Sequence, residues 1–188
     1  MAHGFLDALH TPGVQAARTA NGVDGLWDTT RPGAPQDRFS AREAAFIAAR
    51  DSFYIASISQ SGWPYIQHRG GPAGFLRVLD ERRLGFPDFA GNRQYLTLGN
   101  IADDDRVSLF LMDYPHRRRL KILARMTAHD LTAEPDLAPQ LATPGYRGRI
   151  ERGFTLQLHA FDWNCPQHIT PRFTEAELRA AVAQGPGA

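Results

Sequence analysis

Apolar and polar residues alternate with different periods along the chain, and each change of period marks an element. Ser40-Ala41-Arg42-Glu43 opens the first clear helix as a capping box, in which Ser40 takes a free N–H of the first turn and Glu43 reaches back to the cap. Ala44, Ala45, Phe46, Ile47, Ala48 and Ala49 carry that helix to near Asp51. Beyond it the period falls to about 2, the spacing of a half-buried strand. Phe53 to Ser59 and Trp63 to Arg69, joined at Gln60-Ser61-Gly62, read as a hairpin. Phe75 to Leu79 and Arg83 to Phe86 flank a turn at Asp80-Glu81-Arg82. Gln94 to Ala102 has helical spacing in Leu96, Leu98 and Ile101, with Asn92 as its expected cap. Asp103-Asp104-Asp105 ends that helix, and the strands Arg106 to Met112, Arg118 to Ala128 and Phe154 to Trp163 follow. Glu134 to Tyr146 reads as loop or short helix, and Thr174 with Glu177 caps a C-terminal helix.

The pattern amounts to about six strands, with one helix before them and one between them. Short connections and hairpin turns favour an antiparallel barrel with flanking helices over a parallel sheet. No regular βαβ alternation and no G-x-G-x-x-G turn is found. Three regions are expected. Residues 1–39 form an arm, punctuated by Pro12, Gly13, Gly22, Gly25, Pro32, Gly33 and Pro35 after a short helix at Phe5 to Leu9. Residues 40–170 form the main domain, and residues 171–188 a C-terminal helix and tail.

Composition narrows the function. The chain has 188 residues, 43% hydrophobic, which is enough for one real core. Its net charge of +1 argues against a protein that coats nucleic acid. One cysteine excludes an intrachain disulfide framework and a cysteine-only zinc site. No apolar run approaches the roughly 20 residues of a membrane helix. The first residues lack the basic and apolar regions of a signal peptide, so the expected location is the cytoplasm.

Four segments hold candidate chemistry. Trp63 to Gly74 ends a strand in His68 and Arg69 and runs into Gly70, Gly71 and Gly74. Such glycines let backbone approach a flat ligand or a phosphate, although a plain loop is the more common use. Phe86 to Gln94 runs from a strand into a helix start, where Arg93 and free N–H groups suit a phosphate. Strand alternation in Arg117 to Arg125 puts Arg119, Lys121 and Arg125 on one face. That basic face suits an anion, or simply solvent and the Asp103-Asp104-Asp105 run. Ala160 to Phe173 gathers Trp163, Asn164, Cys165 and His168. Packing ranks first there, flavin contact second, and a metal a distant third because Cys165 and His168 make half a zinc site at best. No Walker A, H-E-x-x-H, G-x-S-x-G or RNP-like pattern is present.

Taken in order, FYIASISQSGWPYIQHRGG, LGFPDFAGNRQYLTLGNIADDDRVSLFLMDY and RRRLKILARM resemble the pyridoxamine 5'-phosphate oxidase-related family, the FMN-binding split barrels. The resemblance covers about Phe46 to Ala128, and FDWNCPQH is typical of one bacterial branch. It implies a mainly β (α+β) fold, a six-stranded antiparallel split β-barrel with flanking helices. It also implies a homodimer with FMN held between subunits. The implied FMN contacts are Gln67, His68, Arg69 and Gly70, then Pro87 and Asp88, then Asn92, Arg93 and Gln94, and finally Lys121, Trp163 and Asn164. Arg93 and Lys121 are expected on the phosphate, Arg69 and His68 on the phosphate or ring edge, and Trp163 over the ring of the partner subunit's flavin. Asn92 and Gln94 depart from the family's Ser and Lys, and Pro87-Asp88 from its Tyr-Thr-like pair. The Arg-x-His substrate motif of the true oxidase is missing, so no catalytic residue is assigned and pyridoxamine phosphate is not implied as substrate. The expected function is flavin-dependent oxidoreduction of a small molecule. The alternatives are a non-catalytic flavin storage or sensing module, or the same fold holding deazaflavin or haem. No metal, nucleic acid or membrane partner is expected.

Overall fold

The computed structural model describes residues 4–24, 26 and 36–184. The expected break points Gly25, Pro32, Gly33 and Pro35 lie outside these residues. Six helices and seven strands follow in order among the described residues: α1 Phe5–Leu9, α2 Pro12–Ala20, α3 Ala41–Ala48, β1 Ser52–Ile58, β2 Pro64–Gly70, β3 Arg77–Asp80, β4 Arg83–Phe89, α4 Leu96–Asp103, β5 Arg106–Asp113, β6 Arg118–His129, α5 Ala138–Leu141, β7 Ile150–Trp163 and α6 Glu175–Gln184. All strands join one sheet in the order β2-β1-β5-β6-β7-β4-β3, and every pairing is antiparallel. This is the split-barrel fold, mainly β with flanking helices. It has seven strands rather than six, one for each of the seven stretches that alternate in the sequence. No helix of the described residues is long and apolar enough to cross a membrane.

Burial follows the alternation read from the sequence. In β5 and β6, Val107, Leu109, Leu111, Leu120, Ile122 and Ala124 point inward and are buried. They meet Phe53, Ile55, Phe86, Phe154 and Leu156 in one core, which Phe46 and Ile47 of α3 close. Arg119, Lys121 and Arg125 lie on the other face of β6, as their spacing requires. Arg125 pairs with Asp105, so the plain reading of that basic run holds there.

Both capping boxes form. Ser40 N–H donates to Glu43 Oε2 at 3.1 Å, and Thr174 N–H donates to Glu177 Oε2 at 2.7 Å. Helix α2 was not expected, since Pro12 and Gly13 read as breakers. Pro12 instead occupies the first helical turn, where its missing N–H costs nothing, and Thr11 accepts from Val14 N–H at 3.3 Å. The arm packs back onto the sheet through Phe5, which is buried and lies 4.5 Å from the Lys121 ammonium. The loop after β6 is pinned by His129, bonded to Glu134 at 2.8 Å and to Thr155 Oγ1 at 2.7 Å.

The glycines after β2 serve the loop. A Cβ on Gly71 would stand 2.7 Å from the Phe75 ring, and Gly74 has φ +78°, so both are needed for packing and turning.

Candidate functional site

Strand β2 alternates strictly. Tyr65, Gln67 and Arg69 face inward, while Ile66 and His68 face outward, His68 against Tyr54 with ring centres 5.5 Å apart. The inward set meets the end of β4 and the segment leading into α4. Together they line a cavity of about 180 Å³ containing Tyr65, Gln67, Arg69, Asp88, Arg93 and Glu151 among its walls.

The approach to α4 differs from expectation. Asn92 does not cap the helix; its Oδ1 accepts from Gln94 N–H at 3.1 Å in a local turn. Arg93 and Tyr95 both adopt left-handed backbone, φ 59° and 53°, and the helix begins only at Leu96. Arg93 therefore stands ahead of the helix rather than in its first turn. Thr97 Oγ1 donates to Gln67 Oε1 at 3.0 Å, which ties α4 to β2. Deeper, Asn100 Nδ2 donates to Ser57 at 2.9 Å.

The floor of the cavity is a chain of charges. Arg69 Nη1 donates to Asp88 Oδ1 at 2.5 Å, and Arg152 Nε lies 3.2 Å from Asp88 Oδ2. Arg152 continues to Glu151 at 3.4 Å. Glu151 also accepts from Arg149 at 2.8 Å and from Tyr95 Oη at 3.1 Å, with Arg93 Nε 3.9 Å away. Burial pushes the Asp88 carboxyl above the usual carboxylate range, more strongly than Arg69 and Arg152 pull it down. Glu151 moves the other way. Desolvation opposes its charge, but the Tyr95 hydrogen bond and the Arg149 and Arg93 guanidiniums hold it below the usual range. Two donors of this chain of charges are left over: Arg69 Nε and Arg152 Nε are buried without a hydrogen-bond partner.

The cavity brings together Gln67, Arg69, Asp88, Asn92, Arg93 and Gln94 of the expected set. The other expected residues are not in its lining. His68 faces outward. Gly70 ends β2 opposite Ser52. Pro87 is buried in β4 opposite Gly153, beyond the last β3 pairing at Gly85, so its missing N–H disturbs only one neighbour. Lys121 pairs with Asp162 at 2.7 Å on the outer face. Asn164 N–H donates to the Arg119 carbonyl at 3.1 Å. Trp163 packs on α3, its Nε1 donating to Glu43 at 2.7 Å. Sequence reasoning missed Glu151, Tyr95, Tyr65 and Thr97. The β-alternation of Tyr65 with Gln67 was the one available signal.

The fold and this donor-rich mouth define a split-barrel protein with a pocket suited to an anionic ligand. The family model of pyridoxamine 5'-phosphate oxidase matches residues 39–149, and the chain belongs to that family. Among solved structures, a candidate pyridoxamine 5'-phosphate oxidase from Lactobacillus delbrueckii is 19% identical with a TM-score of 0.50, covering 69% of this chain and 97% of that one. HupZ of Group A Streptococcus is 10% identical with a TM-score of 0.50, covering 72% of this chain and all of its own (100%). These likenesses establish the fold. No curated protein sequence matches significantly.

Proposed function

We propose that the chain is a cytoplasmic homodimer that binds FMN and uses it for oxidoreduction of a small molecule. Family membership supports this, and one observation carries it: residues far apart in sequence, Gln67, Arg69, Arg93 and Gln94, converge on one cavity. Those residues fit a flavin mononucleotide. Arg93, with a side chain 65% exposed, is free to turn onto a phosphate. The buried, unpartnered Arg69 Nε offers a donor to a ring edge or ribityl oxygen. Gln67 and Gln94 add amide donors and acceptors, and Tyr65 and Tyr95 add flat apolar surface. When bound, the flavin supplies reversible electron transfer. The chain's part is to orient it and to place positive charge beside it.

The cavity of about 180 Å³ is smaller than the roughly 300–1,000 Å³ of a complete small-molecule site. That supports a site completed by a second copy.

The test is the visible spectrum of freshly purified protein, followed by reduction with NADH or NADPH and transfer to an acceptor. Flavin bands with transfer are expected. Bands without transfer to any acceptor favour the storage module, a Soret band favours haem, and a colourless protein that gains no thermal stability from FMN overturns the flavin assignment.

A further inference from the structure

Strand β7 carries a bulge where it borders the cavity. Asp88 pairs with Arg152 but Phe89 pairs with Ile150, so Glu151 has no partner in the ladder. A bulge re-aims the side chain of the extra residue, and both Glu151 and Arg152 thereby turn to the charge chain at the cavity floor. Glu151 is thus a carboxylate, with a side chain only 10% exposed, set in the wall of a pocket whose other features suit an anion. It engages both outer guanidiniums of the site. Arg149 and Arg93 have side chains 63% and 65% exposed, and Glu151 is the ion-pair partner of each. The inner guanidiniums, Arg69 and Arg152, are committed to Asp88.

We infer that Glu151 is a built-in competitor for the phosphate of the flavin nucleotide, which makes FMN an exchangeable ligand rather than a permanently held one. The inference rests on the flavin proposal above. An incoming phosphate must draw Arg93 and Arg149 off Glu151, and it then sits beside a carboxylate that cannot leave, since Tyr95 and Arg152 hold it from the protein side. Like charges at such range in a partly buried site oppose binding. Desolvation opposes the charge of Glu151, but Tyr95, Arg149 and Arg93 hold its carboxyl below the usual range before a ligand arrives, so the incoming phosphate meets a charged carboxylate. The penalty falls on the phosphate alone. Riboflavin has the same ring and ribityl chain without the anion, and it escapes the competition.

The experiment is titration of wild type and Glu151→Gln with FMN and with riboflavin, read by quenching of flavin fluorescence. Gln keeps an oxygen for Tyr95 and Arg152, and a thermal melt confirms that the variant is folded; Glu151→Asn replaces it if it is not. The variant is expected to bind FMN about tenfold more tightly while riboflavin affinity stays unchanged. Equal or weaker FMN binding by the variant overturns this inference and leaves the flavin proposal standing, and so does a gain shared by riboflavin. Failure of wild type and variant to bind either flavin overturns both.

Discussion

Two corners of the molecule carry arginines, an aromatic ring and a buried carboxylate, and only one of them has the makings of a ligand site. At the corner of α3 and β7, Trp163 lies edge-on to Phe46, 4.7 Å between centres, with Arg42 at 4.6 Å and Arg118 at 5.1 Å from its ring. Its N–H is taken by Glu43. The single donor of the indole is used inside the chain. At the barrel mouth the same ingredients are arranged with loose ends. Arg93 is 3.9 Å from its carboxylate, and Arg69 Nε has no partner. Residue type alone does not separate a brace from a receptor; leftover hydrogen-bonding capacity beside a cavity does.

Substitutions sharpen the contrast. Arg69→Ala is expected to have the largest effect, because it leaves the buried Asp88 with Arg152 alone. Stability should fall by about 4 kcal/mol in chemical unfolding, and flavin binding should be lost. Trp163→Ala should cost about 3 kcal/mol through lost packing and an abandoned Glu43, yet leave FMN affinity unchanged in titration. Arg93→Ala should do the reverse, leaving the melting temperature unchanged while FMN affinity falls about tenfold or more. A variant as yellow as the wild type would remove Arg93 from the site.

The smallest expected effect is on pH dependence. Burial opposes the charge of Glu43, but hydrogen bonds from Ser40 and Trp163 outweigh it and lower its pKa. A lowered carboxyl contributes stability above its unfolded value of about 4.3, and that stability is lost as pH falls through the lower folded value. Glu43→Gln should therefore flatten the acid limb of the stability curve. Asp88, raised by burial, works in the opposite direction: its contribution is present in acid and is lost as pH rises through its folded value. The brace at Glu43 therefore weakens in acid while Asp88 does not, and Glu151, lowered like Glu43, follows the brace.

Much of the fold was legible because local chemistry and period agree. The Ser40–Glu43 box and the alternation of Val107, Leu109 and Leu111 need no distant information. Helix α2 was missed because Pro12 reads as a stop unless Thr11 is seen to cap it. The Asn92–Arg93–Gln94 segment singled out in the sequence lines the cavity, but the left-handed Arg93 and Tyr95 that delay α4 leave no mark in residue type. Glu151 was out of reach for a topological reason. It faces Arg93 only because β7 pairs with β4, and the strand reading began at Phe154, beyond the bulge. Lys121 and Trp163 lie outside the lining of this cavity, and Asp162 and Glu43 engage them across sheet and helix.

Hydrogen exchange with and without FMN tests the distinction between the two corners most directly. Slowed exchange in residues 65–69, 88–98 and 149–152, with residues 42–46, 118 and 163 unchanged, is the predicted footprint. Protection centred on Trp163 with the barrel mouth unaffected would contradict it.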